Sequence, residues 1–158
     1  MRVKRPLTGN KIMSPNIQII TDMKHLEGTA YVEILPGPYQ DECWNEGSLF
    51  LDEESFGFLE RVIRRNVPKY DHYAFTKVEK SVWEQIIVEL NALLMQVHQA
   101  STTSDFAENV YFYFKNTESD FQEEFETNRK QLEGLIGEFC DWVLTKLETE
   151  KVITILGL

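Results

Sequence analysis

Residues 81–98, SVWEQIIVELNALLMQVH, carry the clearest helical pattern in the chain. From Trp83 to Val97, apolar side chains recur at three- and four-residue spacing, which places them on one face of an amphipathic helix. Ser81 and Glu84 match a capping box, in which the two residues satisfy each other's backbone N–H groups. The pattern therefore predicts a helix that starts at Ser81 and reaches about His98.

Strand patterns and a second helix precede this segment. Residues 17–21 and 29–35 are rich in β-branched side chains and partly alternate, as strands do. An apolar stripe then begins near Glu53, and Pro68 is expected to stop that helix. Residues 73–78 alternate like a short strand. Carboxylates in the first helical turn complement the helix dipole, so local structure already explains part of the acidity near Glu53.

A long helical pattern occupies the last third of the chain. Apolar residues recur from Phe121 to Leu147, which indicates one long helix or two pieces, and Ser119 with Gln122 matches a second capping box. The aromatic segment 109–115, NVYFYFK, fits a strand in composition but does not alternate cleanly. It stays ambiguous.

Two further features concern the end of the chain. Gly134 and Gly137 each weaken a helix by about 1 kcal/mol relative to alanine, so close packing against a neighbour is their expected explanation. The terminal segment 152–156, VITIL, is too apolar for a strand exposed to water on both faces, which predicts a buried strand.

The order of these elements predicts an α+β fold: a small mixed sheet with helices packed on it, and a long C-terminal helix followed by a final buried strand. With 158 residues, 42% of them hydrophobic, the chain suits a single domain spanning residues 1–158. Residues 1–16, which contain two prolines and a glycine, are expected to form an irregular N-terminal arm.

The composition narrows the classes of function. A formal net charge of −10 disfavours nucleic-acid binding, which needs cations to displace counterions from phosphate. The sequence contains no run of eighteen apolar residues, so it predicts no membrane span. The basic N-terminus lacks the apolar core of a secretion signal. Cys43 and Cys140 are far apart and form no metal-binding spacing. These features predict a cytoplasmic protein with reduced thiols and no membrane partner.

Catalytic and metal-binding patterns are absent from the sequence. We find no nucleophile elbow, phosphate-binding loop, zinc-protease motif or C-x-x-C pair, so no catalytic residue, cofactor or metal ligand is predicted. Anions around Cys43 are expected to raise the pKa of its thiol, which disfavours a nucleophile. Asp71 and His72 are adjacent, but neighbours on an extended segment point to opposite sides and form a poor dyad.

The acidic stretch 39–55, YQDECWNEGSLFLDEES, remains to be explained. Its carboxylates lie close to aromatic side chains, a composition suited to a basic protein partner. The rivals are a small hydrolase that uses Asp71, His72 and nearby carboxylates, and a generic acidic adaptor whose charge serves only solubility.

Several segments together resemble bacterial immunity proteins of contact-dependent growth inhibition and related polymorphic toxin systems. They are ECWNEGSLFL (42–51), FGFL (56–59), YDHYAF (70–75), the Trp83 helix, and the C-terminal CDW and VITILG. The likeness spans residues 30–158.

The resemblance implies a non-enzymatic cytoplasmic protein that binds and neutralises a cognate toxin domain. The expected toxin is a nuclease, and the immunity protein covers its basic active-site or substrate surface. The sequence does not decide between a monomer and a homodimer. The candidate partner-binding residues are Asp41, Glu42, Trp44, Glu46, Asp52, Glu53 and Glu54, with Tyr70, Asp71 and His72 as a second group.

Overall fold

A computed structural model describes residues 15–158, which contain four strands and four α-helices. In chain order these are β1 (Tyr31–Pro36), β2 (Leu49–Asp52), α1 (Glu53–Asn66), β3 (Phe75–Glu79), α2 (Lys80–Gln99), α3 (Thr117–Glu123), α4 (Phe125–Lys146) and β4 (Val152–Leu156). Of the predicted irregular arm, residues 1–14 lie outside the described part, and residues 15 and 16 belong to no helix or strand.

The strands form one sheet in the order β2-β1-β4-β3. The predicted α+β class is confirmed. The expectation of a mixed sheet is wrong, because all three neighbouring strand pairs are antiparallel. The C-terminal strand β4 lies between β1 and β3, and residues 153–156 are all buried. This central position explains why the last strand is apolar on both faces.

The helices pack against one face of the sheet. Residues Val32 and Ile34 of β1, together with Ile153 and Ile155 of β4, belong to the same buried cluster as the apolar faces of α1, α2 and α4. Trp83 of α2 lies 6.1 Å from Phe139 of α4, measured between ring centroids. Its indole N–H donates to the Ile153 carbonyl at 3.0 Å, which ties α2 to the central strand.

The helix predicted from the apolar pattern between Trp83 and Val97 is confirmed as α2. Both predicted capping boxes, Ser81 with Glu84 and Ser119 with Gln122, are wrong. Helix α2 begins at Lys80, one residue before Ser81, because the Lys80 N–H still donates to the Lys151 carbonyl at 2.9 Å and β3 runs directly into the helix. Helix α3 begins at Thr117, so Ser119 already lies inside it. Gln122 instead accepts hydrogen bonds from the backbone N–H and the hydroxyl of Thr103.

The remaining differences lie where the local pattern is weak. Strand β2 was not predicted, because its apolar run Leu49–Leu51 does not alternate. The predicted strand at 17–21 is reduced to a single bridge between Ile20 and Phe50. The ambiguous segment 109–115 belongs to no strand, and the Tyr111 N–H donates to the Gly57 carbonyl of α1 at 2.9 Å.

The two glycines of α4 are not explained by close packing. A Cβ built at Gly134 or at Gly137 would meet no atom within 4 Å outside the local backbone. The pattern over residues 121–147 is otherwise confirmed as two pieces, α3 and α4, which separate at Glu124.

The second face of the sheet carries the candidate site. Strand pairing aligns Phe50, Glu33, Leu156 and Phe75 in one row across β2, β1, β4 and β3. Side chains of directly paired residues share a face, so this row lies opposite the helices. We call this side the open face, and the connection between β1 and β2 folds over part of it.

Candidate functional site

The acidic loop, residues 37–48, is anchored to the open face by Glu33. This side chain is only 3% exposed. One of its carboxylate oxygens accepts the Trp44 N–H at 2.6 Å. The other accepts the Asn45 N–H at 3.0 Å, the Asn45 side-chain amide at 2.9 Å and the Ser48 hydroxyl at 2.6 Å. Four donors from one loop thus converge on a single buried carboxylate.

These hydrogen bonds hold an unusual backbone conformation. Asp41 and Trp44 adopt left-handed φ values of 67° and 66°. For a residue with a Cβ this conformation costs about 1–2 kcal/mol, so it persists only where surrounding contacts stabilise it. At Trp44 the stabilisation comes from Glu33 and from the rings, since the indole stacks on Phe50 at 5.6 Å and meets Tyr31 edge-on at 6.1 Å.

The fixed loop presents carboxylates to solvent. Asp41, Glu42 and Glu46 are exposed, and within residues 15–158 none of them forms an ion pair. The Trp44 side chain of the same loop is half-buried. No side-chain hydrogen bond or ion pair within residues 15–158 engages these three carboxylates.

Cys43 lies in the same loop and is exposed. Partial burial raises the pKa of its thiol, and the charge of Glu33 raises this pKa further. The predicted direction is confirmed. The responsible anion is Glu33, however, and not the sequence neighbours Asp41, Glu42 and Glu46. A thiol with a raised pKa is a poor nucleophile.

A groove of about 370 Å³ separates the acidic loop from the edge of the sheet. Trp44 and Cys43 line it on the loop side, and Tyr73 and Phe75 line it on the β3 side. Tyr73 is 70% exposed and Phe75 is 46% exposed, and the exposed ring of Tyr39 lies 4.8 Å from that of Phe75. Exposed aromatic rings across a groove from an acidic loop are a composition typical of protein-binding surfaces.

The three carboxylates at the start of α1 are engaged within the protein. Asp52 caps the helix by accepting the Ser55 N–H at 2.8 Å, and Glu54 accepts the Thr117 hydroxyl at 3.0 Å. Glu53 lies 2.7 Å from His72. The expected position of Glu53 and Glu54 in the first helical turn is confirmed, and Asp52 precedes them as the helix cap. The acidic stretch therefore divides into an engaged helix start and the exposed acidic loop.

His72 lies between two carboxylates. Its Nδ1 is 2.7 Å from Glu60 and its Nε2 is 2.7 Å from Glu53. The Tyr113 hydroxyl also donates to Glu60, whose side chain is fully buried. Burial alone would lower the pKa of His72, but the hydrogen bonds to Glu60 and Glu53 raise it above its usual value. The geometry therefore favours the imidazolium, with one N–H for each carboxylate.

The neighbours of His72 do not join it in a dyad. Asp71 is exposed and accepts the Tyr73 N–H at 2.8 Å, so its side chain and that of His72 occupy different environments, as alternation predicts. Tyr70 is buried, with its ring 6.4 Å from Phe56 and the Arg64 guanidinium 5.2 Å above it. Of the second group of candidates, only Asp71 reaches the surface.

Sequence reasoning missed Glu33 and Glu60, the two buried carboxylates. A signal was present for each. Glu60 follows Phe56 by four residues and so falls on the apolar stripe of α1. Glu33 shares a strand face with Tyr31, because residues two apart point the same way. A carboxylate at a core position marks a polar network, although the pattern does not name its partners.

Comparisons with known proteins do not extend these observations. No protein-family model matches the chain, and neither curated proteins nor solved structures yield a match. Within residues 15–158, no group of three or more His, Cys, Asp or Glu side chains is placed to hold a metal ion. None of the helices described here is long and apolar enough to cross a membrane. The immunity-protein resemblance stays a prediction.

Proposed function

We propose that this chain is a non-enzymatic cytoplasmic inhibitor of the immunity type. It binds a cognate bacterial toxin domain, a nuclease, and covers the basic surface that would hold the nucleic acid. One observation carries the proposal: the acidic loop, fixed by Glu33, carries exposed carboxylates and shares a groove with the exposed rings of Tyr73 and Phe75.

The physics of association favours such a surface. Free carboxylates on a chain with net charge −10 speed the encounter with a basic partner. Exposed aromatic rings supply large contact area at low cost in side-chain entropy. Because the loop is already fixed, little further conformational entropy is lost when the partner binds.

The hydrolase alternative finds less support. His72 is 7% exposed and Glu60 is fully buried. Both ring nitrogens of His72 are occupied by carboxylates, and Asp71 points elsewhere. A general base must reach the proton it removes. This geometry favours a structural role for His72. The generic acidic adaptor is distinguished from the inhibitor by the matched charge-reversal variants described below.

The test is a binding measurement. The chain is co-expressed and purified with the product of the adjacent upstream reading frame, and the affinity is measured by calorimetry between about 50 and 500 mM salt. We expect a complex that weakens as salt increases. No complex with a neighbouring toxin-like domain would refute the proposal.

A matched pair of triple variants locates the surface. Asp41→Lys, Glu42→Lys and Glu46→Lys together reverse the charge of the acidic loop, and we expect them to weaken binding at least about tenfold and to reduce its salt dependence. The control reverses three exposed helical or C-terminal carboxylates, Glu84, Glu138 and Glu148, with the same change in net charge. Equal effects of the two variants would indicate that acidity acts only through total charge.

A further inference from the structure

Glu33 carries a buried negative charge that no cation neutralises within residues 15–158. Its four partners are neutral donors, and none of the ion pairs there includes it. Burying a carboxylate is costly unless it is hydrogen-bonded and paired. The hydrogen bonds are present, but no described residue supplies a counter-charge.

The groove places this charge beside aromatic rings. Glu33 lines the groove together with Tyr31 and Trp44 on one side and Tyr73 and Phe75 on the other. Strand pairing puts Glu33, Leu156 and Phe75 in one row, so their side chains lie on the same face of the sheet, and Glu33 and Phe75 both line the groove. Aromatic faces attract cations, and this attraction strengthens where water is excluded.

Among residues 15–158, no cationic side chain lines this groove. Lys77 is the one cationic residue of β3. In the strand register it lies opposite Thr154, two residues away from the row that contains Glu33, Leu156 and Phe75. No Lys, Arg or His is among the groove-lining residues of the described chain. The site therefore combines an unneutralised carboxylate, an aromatic lining and open volume.

We propose that the groove binds the guanidinium of an arginine side chain from the protein partner. The inference rests on the proposed function, and it names the chemical group that the toxin surface supplies. Arginine fits better than lysine because its planar head stacks on rings and is less strongly hydrated. The protein already contains such a contact, with the Arg61 guanidinium 4.0 Å from the Tyr111 ring centroid.

The test uses a small probe and needs no toxin. The indole N–H signals of the tryptophans are recorded by NMR, and the Trp44 signal is assigned from the Trp44→Phe variant. The full chain is titrated with N-acetyl-arginine amide and, in parallel, with the neutral isostere N-acetyl-citrulline amide. We expect a saturable shift of the Trp44 signal with arginine alone, while the signal of buried Trp83 stays fixed. Equal responses to both probes would overturn the proposal.

Variants of the groove rings test the site without altering Glu33, whose substitution could disturb the acidic loop. Tyr73→Ala and Phe75→Ala remove exposed rings, and each should weaken the arginine response about threefold to tenfold. Phe114→Ala removes a ring whose exposure lies between those of Phe75 and Tyr73 and which does not line the groove, and it should leave the response unchanged. An undiminished response in the first two variants would contradict the assignment.

Three further outcomes separate the explanations. A complex with the toxin but no response to the arginine probe would overturn the groove site and leave the proposed function intact. A saturable arginine response without any toxin complex would support the groove site and remove the proposed function. If the Trp44 signal moves with protein concentration alone, the occupant is a second copy of the chain, and the arginine proposal fails.

Discussion

The stability of this protein should depend on the charge of His72. The imidazolium donates one N–H to Glu60 and the other to Glu53, each across 2.7 Å. The neutral ring has a single N–H, so one carboxylate loses its donor when the ring is deprotonated. The pKa of His72 is raised in the folded state. This contribution is therefore fully present below about pH 6.5, the usual value, and is lost as the pH rises through the folded pKa.

The structure sets the size of the loss. Glu60 keeps the Tyr113 hydroxyl as a donor and has Arg64 3.6 Å away, so it tolerates the change. Glu53 is 26% exposed, and water reaches part of its carboxylate. An unmade hydrogen bond to a buried group costs about 1–3 kcal/mol. Because water partly hydrates Glu53, we expect the lost bond between His72 and Glu53 to cost about 1–2 kcal/mol.

The assay is urea unfolding at constant ionic strength, in steps from about pH 6 to pH 8.5. The free energy of unfolding of the wild-type chain should fall by about 1–2 kcal/mol. Glu53→Gln should reduce this fall, because the amide can donate to the neutral ring, while Glu60 continues to favour the charged ring. His98→Gln is the control, since His98 is 63% exposed and should leave the fall intact.

Two results would refute this reasoning. The first is a wild-type free energy of unfolding that stays constant over the whole pH range. The second is a fall in Glu53→Gln as large as that of the wild type, which would assign the pH dependence to other groups.

Three more perturbations follow from the structure. Gly57→Ala should destabilise the protein by about 1–3 kcal/mol, because its Cβ would lie 2.6 Å from the Tyr111 carbonyl oxygen; thermal unfolding measures this. Gly137→Ala should stabilise the protein by up to about 1 kcal/mol in the same assay, because open space surrounds a helical position. Glu33→Gln should destabilise it by about 1–3 kcal/mol, since the amide nitrogen cannot accept the loop's N–H groups, and should speed amide exchange of Trp44 and Asn45.

Each of these predictions has a contrasting outcome. Equal effects of the two glycine substitutions would contradict the contrast between a packed and an open position. Glu46→Gln neutralises an exposed carboxylate in the same acidic loop and is the control for Glu33→Gln. Similar exchange rates in these two variants would show that Glu33 does not anchor the loop.

Local periodicity was enough to predict the long elements of the fold. The spacing of apolar side chains in α2 and α4 repeats over many residues, so each helix was visible without its neighbours. The composition of residues 152–156 predicted burial of β4 for a similar reason. Capping residues were a weaker guide. Helix α2 starts where strand pairing with Lys151 ends, which no local motif records.

The sequence by itself also placed a cluster of carboxylates around Cys43 and predicted that this cysteine is unsuited to nucleophilic chemistry. Only the tertiary structure decided which charges are engaged. Glu60 and Glu53 lie 12 and 19 residues from His72, and Glu33 lies 11 residues from Trp44. A carboxylate's role depends on which donors the fold brings within about 3 Å. Chain topology sets those neighbours, whereas side-chain periodicity specifies only which face a residue occupies.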